Sequence, residues 1–307
     1  MQIDLVYLWV DGSDTEWLQR RNAVLSQSSQ YAKDSVSDCR FIDNDELKYS
    51  LRSVKQNAPW INNIYIVTDN QIPKWLNLNN DRIKIIDLTE IVPNDKLPLF
   101  NSCAIETRLP FIPNLSEHFL YANDDMFFWN PTEETFFFNN NKTVFRIGKK
   151  IQNRTYKHIY GYTINRAYKL IKERFGCDIP YFPHHGIDAY KKSLFMECIN
   201  EFQQEFEETL NHKIREYSDV QRVLVSYYMH SKGMSCLKRQ SLIDIIFGRN
   251  SESECYNLKK SNMKKIINSK AKLMCINDCR NTTNEDREEI GKILEKKFPA
   301  KSEFEKQ

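Results

Sequence analysis

The stretch FLYANDDMFFW, residues 119–129, places two adjacent acids, Asp124 and Asp125, between two apolar runs. Apolar runs rich in aromatic side chains are typical of buried strands, so 117–128 is predicted as a strand. A buried carboxylate without a partner costs free energy, and these acids therefore need a cation or strong hydrogen-bond donors. A surface turn would explain Asn123 and the acids but not the apolar residues on both sides. We therefore predict that the stretch belongs to a functional site.

Similar apolar runs occur three times upstream of this stretch. They lie at 3–10, 63–70 and 82–91. Between the first two, Leu47, Leu51 and Val54 repeat at the spacing of one buried helix face. Strands that alternate with helices predict an α/β fold, with a mainly parallel sheet and helices on both faces. In such sheets, ligands bind at the carboxyl ends of the strands.

The second half of the chain is predicted to be mostly helical. Helices are expected at about 187–202 and 216–233, followed by a charged amphipathic helix near the end. In the first half, Asp43 is predicted to cap a helix, with Glu46 completing a capping box. We therefore divide the chain into an α/β core at 1–140 and a mostly helical portion at 141–307, within one compact unit.

The composition excludes several classes of protein. The 307 residues carry a net charge of +3, from 44 basic and 41 acidic side chains, which argues against a dedicated nucleic-acid binder. The eight cysteines include no CxxC pair, so a zinc site is not expected. The first residues have neither a basic leader nor an apolar run long enough to span a bilayer. We expect a cytoplasmic protein with reduced, mostly buried thiols.

Polar turns close three of the predicted strands. They are Asp11–Asp14, Thr68–Gln71 and Asn123–Asp125. Asp11 and Gly12 belong to WVDGSD, which is either a turn held by Asp side chains or a loop whose glycine lets a nucleotide approach the backbone. Two carboxylates at a strand end suit a divalent cation such as Mg²⁺ or Mn²⁺.

Charged and amide side chains crowd the stretch RFIDNDELKYSLRS, residues 40–53. The solvated start of a helix explains only some of them. Arg40, Asn44, Asp45 and Arg52 are therefore candidates for binding substrate, either an anion through the arginines or a metal through the acids.

A pair of histidines in FPHHGIDAY, residues 182–190, precedes a predicted helix. A single histidine is more often a structural hydrogen-bond donor, but a pair in such a loop suits acid–base work or phosphate contact near neutral pH. We predict a role for at least one of His184 and His185. Arg215, with Asp219, is either a phosphate clamp or an ordinary ion pair at a helix start.

These stretches together resemble the Stealth family of sugar-phosphate transferases, because four blocks occur in the family's order. The blocks are IDLVYLWVDGSD at 3–14, the segments 40–77 and 97–128, the segment 181–228, and KLMCINDC at 272–279. The family commonly has a PHxP-like loop where this chain has PHHGID. Counted from Pro183, His184 is the better match to the family's histidine.

The resemblance implies transfer of a sugar 1-phosphate from a UDP-sugar to a hydroxyl of a glycan acceptor, with release of UMP, in capsule or surface polysaccharide synthesis. It implies a sheet like that of nucleotide-sugar glycosyltransferases (glycosyltransferase A-type), with 1–140 binding the nucleotide sugar and 141–307 completing the acceptor side. It also implies dependence on Mg²⁺ (or Mn²⁺).

Roles follow from what phosphoryl transfer requires, namely positioning and neutralisation of phosphate charge. Asp124, Asp125 and Asp278 are the expected metal ligands. The expected catalytic residues are Asp125, His184, His185 and Arg215, with an Asp or His as the base. The expected substrate-binding residues are Asp11, Gly12, Arg40, Asn44, Asp45, Arg52, Asn123 and Asn277.

Three alternatives stay open on the sequence alone. One is a metal-dependent glycosyltransferase that releases UDP, the second is a polysaccharide-binding protein without catalysis, and the third is an envelope structural protein. The expected partners are the donor and acceptor, with no nucleic acid. Peripheral association with the inner face of the plasma membrane or with capsule assembly proteins is also expected.

Overall fold

The computed structural model describes residues 1–28, 31–151, 156, 158–239 and 252–306. The strands are β1 Ile3–Leu8, β2 Ile64–Thr68, β3 Ile83–Asp87, β4 His118–Asn123, β5 Met126–Phe128, β6 Phe138–Asn139, β7 Lys142–Lys150, β8 Tyr181–Pro183, β9 Asp188–Lys191, β10 Ser235–Arg239, β11 Ser253–Asn257 and β12 Leu273–Asn277. The helices are α1 Thr15–Leu25, α2 Glu46–Asn57, α3 Leu88–Ile91, α4 Ser102–Glu106, α5 Ile159–Phe175, α6 Lys192–Glu201, α7 Gln203–Asn211, α8 Arg222–Ser231, α9 Lys260–Asn268 and α10 Asn284–Lys297.

The largest sheet has the strand order β3-β2-β1-β4-β9. The first four strands are parallel, and β9 pairs antiparallel with β4 at one edge. In the centre, Leu5 of β1 lies opposite Ile64 of β2 and Leu120 of β4. This order confirms the predicted α/β class with a mainly parallel sheet.

Helices cover both faces of this sheet. On one face, Leu47, Leu51 and Val54 of α2 pack with Leu5 and Ile66, as their spacing predicted. On the other face, strand side chains pack with α5, α6 and α8. Successive side chains of a strand point to opposite faces of the sheet, and helices cover both faces. Consecutive residues of the central strands are therefore all buried, which explains the continuous apolar runs.

The stretch 117–128 is not one strand, as predicted, but two. Strand β4 ends at Asn123 in the large sheet, and β5 begins at Met126 in a second sheet of order β11-β12-β5. Asp124 and Asp125 form the turn between the sheets. The acids therefore lie where two sheets meet.

The helix expected at about 216–233 spans only Arg222–Ser231, and the run at 82–91 forms strand β3 at Ile83–Asp87 followed by helix α3 at Leu88–Ile91.

Two further predicted helix starts are also wrong. Residues 188–191 form edge strand β9, and the following helix begins only at Lys192. The predicted capping box at Asp43 does not form, because α2 begins at Glu46 and the Glu46 carboxylate accepts hydrogen bonds from Asn44. Since β9 belongs to the large sheet, the segment beyond residue 140 contributes strands to the core as well as helices.

The thiols are less buried than expected. All eight cysteines are free, and Cys103, Cys198 and Cys275 are buried, whereas Cys236 and Cys255 are exposed. In the described ranges, no helix combines the length and apolar composition that a bilayer crossing requires.

Candidate active site

A cavity of about 640 Å³ opens at the carboxyl ends of β1, β2 and β4. Trp9 and Val10 follow β1, Thr68 ends β2, and Asn123 ends β4; all four line the cavity. Residues of β11 and β12 in the second sheet and the start of α5 complete its wall. The cavity therefore lies at the edge where polar turns predicted a ligand.

Eight predicted site residues line this cavity. They are Arg40, Asn123, Asp124, Asp125, His185, Arg215, Asn277 and Asp278. Six predicted residues do not line it, namely Asp11, Gly12, Asn44, Asp45, Arg52 and His184. The eight come from sequence positions between 40 and 278, and only the fold brings them together.

Asp124 and Asp125 have few partners. The backbone N–H of Asp125 donates to Asp124 Oδ1 at 3.1 Å, and Cys275 Sγ donates weakly to Asp125 Oδ2 at 3.6 Å. Asp125 Oδ1 is buried with no hydrogen-bond partner in the described part of the chain. Burial raises the pKa of Asp125 to about 6, and burial with the neighbouring charge of Asp125 raises the pKa of Asp124 well above its usual range.

The carboxylates of Asp124 and Asp125 have the properties of a cation-binding site. A hard divalent ion would bind the Asp125 oxygen that lacks a partner, and its charge would lower both raised pKa values. Asp278 fits less well, because both of its carboxylate oxygens accept hydrogen bonds from Arg287, at 2.8 and 3.2 Å. Among the described residues, no group of three or more acidic, histidine or cysteine side chains is spaced to hold a metal ion. Asp124 and Asp125 thus fit a metal, with the remaining ligands to come from water or substrate.

Two arginines face the cavity without an acidic partner. Arg215 donates to the backbone carbonyl of Asp34 at 3.1 Å, and Arg40 forms no side-chain hydrogen bond within the described ranges. Desolvation, and then the like charge of Arg215, lowers the pKa of Arg40 to about 10, so the Arg40 guanidinium remains charged at neutral pH. A pair of unneutralised guanidinium groups in a cavity suits a phosphate or diphosphate.

A buried ion pair that the sequence analysis missed forms another part of the wall. Arg222, only 2% exposed, lies 3.3 Å from Glu106 and 3.3 Å from Asp188. Tyr121 donates to the carboxylate of Glu106 at 3.2 Å and to Asn123 at 2.7 Å. The signal for Arg222 was a charged residue within the apolar helix pattern VQRVLVSYY, 220–228.

Glu46 was considered only as part of a capping box, but it also lines the cavity. It is 8% exposed, and burial raises its pKa to about 7. Its charge adds to that of Asp125 in raising the pKa of Asp124. The anionic side of the cavity is therefore larger than the pair of adjacent acids alone.

Only one histidine of the pair faces the cavity. The ring of His185 lies 5.2 Å from that of Tyr160, and its Nδ1 is 3.4 Å from the tyrosine hydroxyl. Burial, and then the charge of Arg222, lowers the pKa of His185 to about 4, so the ring is neutral and able to accept a proton. His184 lies against Gly148 instead, outside the cavity lining. The match counted from Pro183 favoured His184, whereas the geometry favours His185.

The loop of Asp11 and Gly12 does not face the cavity. Asp11 accepts hydrogen bonds from the backbone and hydroxyl of Ser13, and its backbone pairs with Gln71. Gly12 is in close contact with Phe41, because a Cβ atom on it would lie 2.1 Å from the Phe41 carbonyl oxygen. The close approach predicted for this glycine is real, but its partner is the chain's own backbone.

Arg52, Asn44 and Asp45 also have partners elsewhere. Arg52 is 6% exposed and forms a two-bond contact with Glu305, at 2.9 and 3.0 Å. Asn44 donates to Glu46, and Asp45 pairs with Lys48 at 2.6 Å. These contacts place Arg52 in the framework of the protein, outside the cavity wall.

Family models match three parts of the chain. Stealth protein CR1, conserved region 1, matches residues 1–29; conserved region 2 matches 40–146; and conserved region 3 matches 184–231. The fourth block, 272–279, stays a prediction. The chain belongs to the Stealth family.

Curated relatives extend the similarity over most of the chain. Capsular polysaccharide phosphotransferase fcs1 of Haemophilus influenzae is 34% identical over 92% of this chain and 79% of the relative. Exopolysaccharide phosphotransferase cps2G of Lactiplantibacillus plantarum is 32% identical over 99% and 96%. Exopolysaccharide phosphotransferase SCO6023 of Streptomyces coelicolor is 38% identical over 75% of this chain but only 40% of the relative.

Solved structures show a loose likeness. The galactosyltransferase LgtC in complex with donor and acceptor sugar analogs aligns at a TM-score of 0.45 and 12% identity over 95% of each chain. The inositol-1-phosphate CTP transferase from T. maritima aligns at a TM-score of 0.40 and 11% identity. Neither value supports a conclusion about function.

Proposed function

We propose that the protein transfers a sugar 1-phosphate from a UDP-sugar to a hydroxyl of a glycan acceptor, releasing UMP, in the synthesis of a capsular or exopolysaccharide. The observation that carries this proposal is the cavity, where acids without a counter-charge face arginines without an acid. The family and the names of the relatives support the predicted enzyme class, a phosphotransferase.

The proposed reaction takes place at the diphosphate of the donor. The acceptor hydroxyl oxygen attacks the phosphorus that carries the sugar, the bridging P–O bond breaks, and UMP leaves with the electron pair. Catalysis of this kind depends on positioning and on neutralising charge on the phosphoryl oxygens. Arg40 and Arg215 are the residues that we assign to the diphosphate, because both are charged and unpaired.

Asp124 and Asp125 would hold the metal, Mg²⁺ or Mn²⁺. When bound, the ion neutralises diphosphate charge and the charge of the two carboxylates. Asp278 could bind the metal only if its ion pair with Arg287 were broken, so we do not assign it as a direct ligand.

His185 is the group that we assign to accept the proton of the acceptor hydroxyl. His185 is neutral, lies in the cavity, and is oriented by Tyr160, as a general base requires. An anionic substrate nearby would raise the pKa of His185 from about 4, which would make it a stronger base. Glu106 and Asp188 hold Arg222 beside this histidine and keep the wall charged and rigid.

The released nucleotide tests the proposal. Purified protein is incubated with Mg²⁺, a panel of UDP-sugars and a short glycan acceptor, and the nucleotide and product linkage are identified. UMP with a phosphodiester in the product is the expected result. UDP with a glycosidic linkage would show a glycosyltransferase and overturn the proposal.

The cellular setting belongs to the proposal as well. A polysaccharide assembled from nucleotide sugars would be made in the cytoplasm, with the enzyme at the inner face of the membrane. Co-fractionation of the protein with membranes, lost on washing with high salt, is the expected sign of peripheral association.

A further inference from the structure

Four aromatic rings form a continuous row beside the cavity. The ring centroid of Tyr217 lies 4.8 Å from that of Tyr162, which lies 5.9 Å from that of Tyr156. The Tyr156 ring in turn lies 5.7 Å from that of Phe182. We call these four residues the aromatic row.

The row begins at the cavity rim. Arg215, which lines the cavity, precedes Tyr217 by two residues, and Tyr160, which also lines it, precedes Tyr162 by two residues. Two residues span at most about 7 Å of extended chain, so the backbone of Tyr217 lies within about 7 Å of that of Arg215. Residues two apart on a helix project from different sides, so Tyr162 belongs to the row through its ring contact with Tyr217 and not through Tyr160.

Exposure differs along the row. Tyr217 is 46% exposed, the only aromatic side chain among the exposed large hydrophobic residues of the described ranges. Tyr156 and Phe182 also pack against the core, whereas Tyr162 is half-buried and lies outside that core cluster. Core packing therefore explains Tyr156 and Phe182 but does not explain Tyr162 and Tyr217.

A cation lies at the far end of the row. Lys149 Nζ is 5.6 Å from the centroid of the Phe182 ring, and the lysine is exposed and has no ion pair in the described part of the chain. With Arg215 at the near end, the row has a positive charge at each end. Aromatic faces accept the apolar C–H faces of sugar rings, and flanking cations accept phosphates.

We propose that the aromatic row binds the acceptor, a glycan of several sugars with phosphodiester links, and leads its terminal hydroxyl into the cavity. This inference rests on the proposed function, because it assumes that the acceptor is the anionic polymer that sugar-phosphate transfer would produce. Sugar rings of the acceptor would stack on Tyr217 and Tyr162, and a phosphate of the acceptor would lie near Lys149, which leaves Arg215 to the donor's diphosphate.

Binding without donor tests this inference. Hexose oligosaccharides of one to four units joined by phosphodiesters are titrated onto the protein and followed by saturation-transfer NMR. Binding should strengthen with length, and Tyr162→Ala and Tyr217→Ala should each weaken it about fivefold to tenfold. Tyr162→Phe and Tyr217→Phe should bind within about twofold of the unaltered protein, since stacking requires the ring and not the hydroxyl.

A matched control is Leu78→Ala, because Leu78 is 51% exposed and lies outside the cavity and the row. Equal binding by the Tyr→Ala variants and this control would overturn the inference, as would the absence of any binding to the unaltered protein. Failure of the proposed function is distinguishable, because a release of UDP in the donor assay leaves this donor-free binding result unchanged.

Discussion

Asp124 and Asp125 destabilise the folded protein unless a cation neutralises them. Their folded pKa values are raised above the ordinary 3.8, so the unfolded chain loses these protons at a lower pH than the folded chain. The resulting loss of folding stability is absent below the pKa that these carboxyls have in the unfolded chain. It grows as pH rises from there through their pKa values in the folded protein. At neutral pH without metal, the pair therefore costs stability.

Asp124→Asn and Asp125→Asn should abolish transfer and stabilise the protein in the absence of metal. The amide keeps the shape but removes the charge that would hold the cation. We expect a loss of at least about 10²-fold in kcat and a rise in Tm of about 2–4 °C, measured by donor turnover and by thermal unfolding in chelator. Full activity in both variants, or a lower Tm in both, would contradict the assignment.

The two adjacent histidines should differ in kcat. His185→Ala should lower kcat by about 10²-fold or more, because His185 faces the cavity and is the proposed base. His184→Ala should change kcat by less than about tenfold, since that ring lies against Gly148. Steady-state kinetics at saturating donor check both, and the reverse order would favour the match counted from Pro183.

At the scale of elements, Gly12 positions the segment that carries Arg40. Gly12→Ala would push its Cβ into the backbone of Phe41, which is held by Trp17 at a ring distance of 5.1 Å and by Arg21 at 4.7 Å. We expect kcat/KM for the donor to fall about 10²-fold as Arg40 moves. Gly291→Ala is the control, because a Cβ there meets nothing within 4 Å and alanine is favoured over glycine inside a helix. Equal activity of the two variants would contradict this role.

His212 joins the end of α7 to the start of α4. Its Nδ1 lies 2.7 Å from buried Asp219, which also accepts from Asn101, the N-cap of α4. The hydrogen bond to Asp219 raises the pKa of His212, so its stabilisation is fully present below the unfolded pKa and is lost as pH rises through the folded one.

His212→Ala should therefore be more destabilising in acid than in base. We expect a loss of about 2 kcal/mol in the free energy of unfolding near pH 6 and a smaller loss near pH 8.5. Urea unfolding of both proteins at the two pH values measures the difference. A loss that does not depend on pH would show that His212 acts by packing alone.

At the scale of the whole molecule, Arg52 connects the first third of the chain to its end. From α2 it contacts Glu305, Glu295 of α10 and the carbonyl oxygen of Phe298. These bonds place the C-terminal residues against the strand core, and the backbone of Leu76 pairs with that of Glu305 nearby.

Arg52→Ala should cost stability and leave the chemistry intact. Removing one partner of a buried ion pair typically costs about 3–5 kcal/mol, because it leaves Glu305 buried without its counter-charge. Urea unfolding checks the stability, and kcat of the folded fraction at low temperature checks the chemistry. Loss of kcat with unchanged stability would return Arg52 to the substrate-binding set.

The sequence alone determined the α/β class and the edge of the sheet where the cavity lies. Continuous apolar runs closed by polar turns are typical of strands buried on both faces, and the carboxyl ends of such strands meet at one edge when the strands are parallel. The same logic placed Asn123, Asp124 and Asp125 at that edge, because the apolar run before them was predicted as a strand.

Only the tertiary structure decided which charged residues face the cavity. Arg40 and Arg52 lie in one stretch of sequence, yet one is unpaired in the cavity and the other is paired with Glu305, 253 residues away. Arg222 gave only the weak signal of a charge within an apolar helix pattern, and its partners Glu106 and Asp188 lie far from it in the sequence. Local patterns record spacing along the chain, whereas the partner of a charge is set by packing between distant segments.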